Sequence, residues 1–437
     1  MRIVYHVSAK ISSTALSLNN CLHTGPNLIQ RLQNMLLTFK SHKIAFTADI
    51  KKAFLQTELN TQDRDATRFL WLKDVDKSAN NPDNLVVFRF CWVLFRATPS
   101  PYLLNATIQH HLIKQDDWIS KNLQRSIYKD VLTGTDTIPE ALQYYTSSRN
   151  CFQKAGMNLR QWTGNSPALN HQAPDEGVYA KPMVKVPGLN WNKKTDTLSL
   201  SLTKLIKETN STHKICKRSV WSLSSKLYDP LGFVEPVTVK AKIMMQELWK
   251  HNLTWDKELL DDFKENWVRW LNELQNLTPL EIPRQYFNNV DSKVQLHVFC
   301  DSSQVAYGAV AYLRGTTPKS GTKCTFVKSK SKVAPIKSQT MPRLELLAAV
   351  LGAELPKYLS NAILPKFHTS QIILWSDSQI VLSWISSSKH LRQQFIQHRV
   401  QLIRDMTSQS TWKYCPTTSN PADLITGGMD AKAFICR

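Results

Sequence analysis

Short runs of apolar residues alternate with polar turns through the last third of this 437-residue chain, and they predict a mixed α/β fold. Residues 296–313 are typical of two strands joined by a polar turn, because β-branched and aromatic residues flank a short polar run. Pro342 opens an apolar stretch that favours a helix. A strand at 372–375 and a helix at 379–385 follow, so strands and helices alternate in this part of the chain.

Four acids lie inside or directly beside these apolar elements: Asp301, Glu345, Asp377 and Asp423. Asp301 and Asp377 end strands, Glu345 lies within the helix, and Asp423 precedes an apolar turn. A carboxylate among apolar neighbours costs free energy unless a partner neutralises it. One such acid alone is more often a helix cap or an ion-pair partner at the surface. Four together favour a single cluster that holds two Mg²⁺ ions, or Mn²⁺, and hydrolyses a phosphodiester.

A second acid-bearing pattern occupies the first 162 residues. A predicted strand at 43–50 carries Asp49, and a predicted strand-turn-strand hairpin at 126–134 carries Asp130. A carboxylate at a strand end can bind Mg²⁺ while the lysines that follow Asp49 face phosphate, although an ordinary strand-to-helix cap is the commoner explanation on local grounds. The other elements predicted here are strands at 67–72, 85–93 and 157–162 and helices at 27–39, 102–113 and 138–155.

Residues 163–290 form a third part, in which a polar loop precedes a predicted hairpin within 186–202 and two amphipathic helices at 237–249 and 261–274. Four tryptophans cluster in this part: Trp249, Trp255, Trp267 and Trp270. Tryptophan at helical spacing more often belongs to a core than to a platform on which bases stack, and the sequence leaves both interpretations open.

The composition adds a partner class and excludes several others. A formal net charge of +21 favours a polyanion, and nucleic acid is the obvious one, although charge alone equally fits a generally basic protein. The eight cysteines form no CxxC pair, which argues against a zinc site or a disulfide framework and favours a reducing cytosolic or nuclear compartment. Apolar runs are too short for a membrane span or a secretion signal, so neither is predicted.

Several segments resemble the polyproteins of BEL/Pao-type retrotransposons. The ribonuclease H-like segment of that family is similar to FCDSSQVAYGAV, LWSDSQIVLSWI and NPADLITGG in this chain. The reverse-transcriptase palm of the same family is similar to TADIKKAFLQ, FRATPSPYLLNATIQHHL and AGMNLRQW. The resemblance implies an α+β multidomain chain with a truncated palm at 1–162, a connection region at 163–290 and a ribonuclease H-like domain at 291–437.

The resemblance also implies chemistry and partners. Catalytic, Mg²⁺-binding carboxylates of the ribonuclease H would be Asp301, Glu345, Asp377 and Asp423, and those of the polymerase would be Asp49 and Asp130. The expected activity is hydrolysis of the RNA strand of an RNA–DNA hybrid, with RNA template and DNA as further partners. Protease and integrase parts are expected in the parent element, and the expected location is a cytoplasmic virus-like particle or the nucleus.

Two departures from the family pattern qualify these expectations. The second acid site of the polymerase is one residue short: counted forward from Tyr128, Asp130 matches the first acid, whereas counted back from Val131, Lys129 replaces it. A fingers region expected before residue 1 is also absent, so polymerase activity is predicted to be weak or lost. Thr426 and the two glycines after it stand where the family has Ser-Arg-Gly, which predicts weaker substrate contact.

Two other functions compete with the nuclease. A catalytically decayed remnant that still binds nucleic acid fits the departures, although all four nuclease carboxylates remain. An aspartic peptidase, an activity sometimes attached to this family, needs an Asp-Thr/Ser-Gly turn, and the sequence contains none.

Overall fold

A computed structural model describes residues 6–77, 81–127, 130–172, 182–202, 205–206, 214–287, 294–317, 321–364, 366–367, 369, 371–388 and 393–436. The chain forms two compact units. Unit 1 comprises Met1–Met35 and Ile44–Ala180, and unit 2 comprises Leu36–Lys43 and Lys181–Arg437. None of the helices described combines the length and the apolar character that crossing a bilayer requires.

Unit 1 is built on a three-stranded antiparallel sheet. Its elements are the helices α1 (Leu18–Cys21), α2 (Leu32–Ser41, whose last residues belong to unit 2), α3 (Ser100–Gln115), α4 (Trp118–Ser126), α5 (Ile138–Lys154) and α6 (Pro167–Gln172), and the strands β1 (Ile44–Ile50), β2 (Arg68–Leu72), β3 (Leu85–Arg89), β4 (Asp130–Thr135) and β5 (Leu159–Gly164). The sheet order is β4-β1-β5, and β2 and β3 form a separate hairpin. Phe46, Tyr144 and Trp162 pack together in its core.

The structure differs from the predicted hairpin at 126–134 at its start. Helix α4 extends to Ser126, Ile127 forms an isolated antiparallel bridge with Val131, and β4 is the second strand. The helix forms because Asp117 caps it, accepting a hydrogen bond from Ser120 N at 2.6 Å, and because Ile119 and Leu123 bury one face. Tyr128 and Lys129, on which the register of the polymerase acids depends, lie outside the described residues.

The first part of unit 2 combines a small sheet with three helices. Its elements are β6 (Met183–Val186), β7 (Leu189–Asn192), β8 (Thr197–Leu200), β9 (Ile282–Pro283), α7 (Lys217–Lys226), α8 (Glu235–Lys250) and α9 (Asp261–Glu273). The strands pair in the order β6-β7-β8-β9. The tryptophans here divide by environment: Trp267 and Trp270 are buried and stacked on each other, whereas Trp249 and Trp255 are exposed. The core interpretation therefore holds for Trp267 and Trp270 and not for Trp249 and Trp255.

Arg284, which follows β9, is fully buried and uses all five of its N–H donors. It binds the Asp196 carboxylate through two hydrogen bonds, Nε to Oδ1 at 2.7 Å and Nη2 to Oδ2 at 2.8 Å. Its other donors reach the carbonyls of Phe39, His42 and Lys43 at the end of α2. This side chain thus ties three separate parts of unit 2 together.

The larger sheet of unit 2 carries the predicted acids. Its elements are β10 (Gln295–Ser302), β11 (Ala306–Thr317), β12 (Gly321–Val333), α10 (Met341–Ser360), β13 (Gln371–Ser376), α11 (Gln379–Ser386), α12 (Gln394–Met406), β14 (Thr411–Tyr414), α13 (Asp423–Gly427) and α14 (Ala431–Ile435). The order is β12-β11-β10-β13-β14, with β10, β13 and β14 parallel to one another. Helix α10 packs closely on β10 at Gly352, where the absence of a side chain makes room for Cys300. A Cβ at Gly352 would lie 2.0 Å from Cys300 Sγ.

Three side chains of α8 bond to backbone groups along the outer edge of β12: Glu235, Lys242 and Gln246. Glu235 Oε1 accepts from Ser331 N at 2.8 Å, and Lys242 Nζ donates to the Ser331 carbonyl at 3.3 Å. Gln246 donates to the carbonyl of Ala334. The spacing of seven and then four residues places the three on one face of α8, so the helix satisfies groups that an edge strand otherwise exposes.

Candidate metal centre

Three of the predicted acids meet at one edge of the larger sheet. Asp301 is the second-last residue of β10, Asp377 directly follows β13, and Glu345 lies near the start of α10. Cys300 and Ser376 are register partners of the parallel pair β10–β13, so the residues that follow them meet at the same edge. One oxygen of Asp301, Glu345 and Asp377 each lies within 4.8 Å of the other two.

Burial and mutual repulsion make this cluster electrostatically costly without a cation. Burial raises the pKa of Asp301 to about 6, and the charges of Asp377 and Asp423 add to this effect. Burial also raises the pKa of Glu345 to about 8, with a further contribution from Asp377. Desolvation and neighbouring negative charge both disfavour an ionised carboxylate, so a positive ion between the three would stabilise all of them.

The hydrogen bonding of the cluster fits a divalent cation. Glu345 Oε2 and Asp377 Oδ1 are buried and have no hydrogen-bond partner among the described residues. Buried carboxylate oxygens are nearly always satisfied in proteins. The other oxygen of Asp377 accepts a hydrogen bond from the Thr417 hydroxyl at 2.9 Å. The two orphaned oxygens are the hard oxygen ligands that Mg²⁺ and Mn²⁺ prefer.

Asp423 lies beside this cluster rather than in it. It is the first residue of α13, it is exposed, and it is not among the three acids whose oxygens converge. Its charge nevertheless raises the pKa of Asp301, so the two carboxylates are close enough to interact. The predicted set of four nuclease acids therefore divides into a convergent trio and one peripheral member.

Thr426 is a contributor that the sequence analysis missed. Its side chain is fully buried, and its hydroxyl donates a hydrogen bond to Asp301 Oδ2. Gly308 is the register partner of Asp301 on β11, and its lack of a side chain lets helix α13 come close. A Cβ at Gly308 would lie 2.9 Å from Ile425 Cγ2 in that helix. The signal was present in the sequence, since Thr426 follows Asp423 by three residues, which is one helical turn.

The acids predicted for the polymerase lie together in unit 1. Asp49 and Asp130 are register partners on β1 and β4, so two like charges stand side by side on neighbouring strands. Arg160, on the other side of β1, brings its Nε to 3.8 Å from Asp49 Oδ2. Asp49 thus has a cationic neighbour, whereas Asp301, Glu345 and Asp377 form no salt bridge with the residues that the structure describes.

Residues 216–378 match the family model described as Pao retrotransposon-like RNaseH-like domain. The resemblance to Pao retrotransposon proteins is confirmed. The matched segment contains Asp301, Glu345 and Asp377 and also the helices α7, α8 and α9, whereas Asp423 lies beyond it. None of the curated proteins compared with the chain matches it.

Solved structures of foamy viral protease-reverse transcriptase resemble this chain over about nine-tenths of its length. The structure in complex with RNA/DNA hybrid has 14% identity and a TM-score of 0.52, covering 89% of this chain and 46% of that one. Two complexes with double-stranded DNA have 16% and 15% identity to this chain and TM-scores of 0.56. Each match covers 91% of this chain, and the matches cover 60% and 72% of the two foamy viral chains. The chain thus spans about half of the first structure. At identity this low, the structural likeness establishes the fold alone. The predicted reverse-transcriptase and ribonuclease H architecture is confirmed.

Proposed function

We propose that this chain is a divalent-metal-dependent ribonuclease that cleaves the RNA strand of an RNA–DNA hybrid. The observation that carries the proposal is the convergence of Asp301, Glu345 and Asp377, with two buried oxygens that lack any described partner. The Pao-type match over 216–378 and the fold shared with a foamy viral protein bound to RNA/DNA hybrid support this substrate. The net charge of +21 favours a polyanionic substrate.

The proposed roles follow from these positions. Asp301, Glu345 and Asp377 would hold Mg²⁺, or Mn²⁺ as the second choice, and Asp423 would add a fourth carboxylate from α13. When bound, such ions activate water and stabilise the leaving oxygen of a phosphodiester. Thr426 orients Asp301 through its hydroxyl, as hydrogen bonds to metal ligands generally do.

Cleavage of a labelled RNA–DNA hybrid by the full chain in Mg²⁺ tests this function. We expect Asp301→Asn to lower the cleavage rate by about a hundredfold or more, because changes that only support a ligand already cost about 10–100-fold. Asp405→Asn is the matched control, since Asp405 is exposed on α12, away from the trio. A folded wild-type chain that cleaves in neither Mg²⁺ nor Mn²⁺ would instead favour a remnant that only binds nucleic acid.

DNA polymerisation is a weaker candidate for this chain. Asp49 and Asp130 lie side by side, as two carboxylates of a polymerase site would, but Arg160 lies 3.8 Å from Asp49 and lessens the need for a metal ion. We expect primer extension on an RNA template to be absent or far slower than hybrid cleavage. Extension at a rate comparable to cleavage would contradict this prediction.

The remaining proposals concern context. We infer a BEL/Pao-type polyprotein as the parent, with protease and integrase parts beside this chain, in a cytoplasmic virus-like particle or in the nucleus. Domain limits at 1–162, 163–290 and 291–437 remain predictions. Side chains of α8, at the end of the proposed connection region, form hydrogen bonds with the backbone of β12 in the proposed nuclease.

A further inference from the structure

A cavity of about 760 Å³ opens in unit 2 between α7, α8 and the edge of β12. Two tryptophans with exposed indoles line it: Trp221 is 54% exposed and Trp249 is 46% exposed. Lys217 holds Trp249 in place, with Nζ 3.2 Å from the ring centroid. Large exposed aromatic side chains inside one concavity are unusual unless a ligand covers them.

Two acids and two lysines line the cavity, and they differ in how far other groups of the protein engage them. The Asp229 carboxylate accepts hydrogen bonds from three backbone N–H groups, and Glu235 is paired with Lys242 and Ser331. Both acids are therefore engaged by internal partners, and Glu235 is paired with a cation. Lys332 is exposed at the rim and forms no salt bridge with the residues that the structure describes. An anionic ligand is favoured over a cationic one.

A peptide strand is a poor occupant, although the cavity borders an edge strand. The outward backbone groups of Ser331 and the carbonyl of Ala334 are already bonded to α8 side chains. An added strand has no free donors or acceptors to pair with at these positions. Indole platforms beside a lysine are instead the chemistry that binds single-stranded nucleic acid, because every base offers a face for stacking and every linkage carries a negative charge.

The position of the cavity agrees with such a ligand. Tyr307 lines it and is the register partner of Ser302, the residue directly after Asp301. Strand β12 is two strands away from β10, which is about 10 Å at the usual spacing between strands. A nucleic-acid strand leaving the metal centre would reach the cavity within a few nucleotides.

We propose that this cavity binds unpaired nucleotides that extend from the hybrid, with bases stacked on Trp221 and Trp249 and a phosphate on Lys332. The identity of the duplex rests on the proposed function, but the site is separate from the metal centre. It would hold the end of a partly single-stranded substrate while the hybrid lies at the carboxylates.

Two hybrids with the same duplex, one blunt and one with a short unpaired RNA extension, test the proposal in metal-free buffer. We expect the full chain to bind the extended hybrid about 5–100-fold more tightly, since stacking is worth about 1–3 kcal/mol per base. Trp221→Ala should abolish this preference and Trp221→Phe should retain most of it, while affinity for the blunt hybrid stays unchanged. Lys332→Gln should reduce both the preference and its dependence on salt.

Trp118→Ala is the control, because Trp118 is 48% exposed but lies in unit 1, outside the cavity. An unchanged preference in Trp221→Ala, or an equal loss of affinity for both hybrids, would overturn the proposal. Failure of the proposed function is distinguishable from failure of the cavity proposal. The proposed function concerns cleavage, which Asp301→Asn tests, whereas the cavity proposal concerns binding. If no hybrid binds, the quenching of tryptophan fluorescence by a single-stranded oligonucleotide still tests the cavity, and no quenching overturns it.

Discussion

Glu345→Gln is expected to abolish hybrid cleavage and, at the same time, to stabilise the metal-free protein at pH 8. The loss of activity follows from removing one of three convergent carboxylates. The gain in stability follows from removing a buried charge that repels Asp377 and has an oxygen without a partner. We expect the free energy of unfolding to rise by about 1–3 kcal/mol at pH 8.

The sign of the pH dependence is opposite to that of an ordinary ion-paired acid. Glu345 has a pKa of about 8 in the folded protein and an ordinary value of 4.5. Between these values the unfolded chain has already released a proton that the folded chain retains, so the free energy of unfolding falls as the pH rises. The advantage of Glu345→Gln should therefore be largest at pH 8 and vanish near pH 5.

Mg²⁺ should make the wild type more stable than Glu345→Gln, which reverses their order in metal-free buffer. A metal ion at a hundred times its dissociation constant stabilises the state that binds it by about 2.7 kcal/mol, and the wild type should gain more than Glu345→Gln. Hydrogen exchange of the amides of β10 provides the readout, because it reports on unit 2 alone. Glu354→Gln is the control: Glu354 lies on the same helix in an exposed pair with Lys330. Equal stabilisation of metal-free Glu345→Gln and Glu354→Gln at pH 8 would contradict the explanation that the buried Glu345 charge is costly.

Arg284→Ala is expected to destabilise unit 2 by about 3–5 kcal/mol, the usual cost of breaking a buried ion pair. The substitution removes the bidentate partner of the Asp196 carboxylate and the hydrogen bonds that Arg284 donates to three backbone carbonyls at the end of α2. Arg284→Lys should recover only a small part of this loss, because an ammonium group has three donors and cannot match both carboxylate oxygens in the same plane.

Arg218→Ala provides a control with the same chemistry and a different environment. Arg218 also binds a carboxylate through two hydrogen bonds, to Asp256 at 2.7 and 2.9 Å, but its side chain is 62% exposed. We expect its removal to cost far less than the removal of Arg284, because solvent screens an exposed ion pair. Urea unfolding, with hydrogen exchange to assign the transition to unit 2, measures both variants. Similar losses would show that burial does not determine the strength of the Arg284 pair.

Much of the candidate site could be predicted from the sequence, because its residues carry local signals. Asp301 and Asp377 stand at the ends of alternating apolar runs, and Glu345 follows a proline that opens a helix. The strands and helices that carry them formed where the periodicity predicted them. The sequence pointed to Thr426 only as a departure from the family pattern, because its hydrogen bond joins it to Asp301, which is 125 residues away in the chain. Helix α4 was not predicted, although Asp117 caps it and Ile119 and Leu123 bury one of its faces.

The sequence by itself determined most of the elements around the acids, the apolar character of those elements, and the six acids that carry the candidate chemistry. Only the tertiary structure decided that three nuclease acids converge while Asp423 stays peripheral, because convergence depends on the parallel pairing of β10 with β13 and on the approach of α10 over Gly352. It also separated chemically identical residues, burying Trp267 and Trp270 while leaving Trp221 and Trp249 in an open cavity. Periodicity reports which face of an element is apolar. The neighbours that cover that face come from distant parts of the chain, and only their packing determines which side chains remain for a ligand.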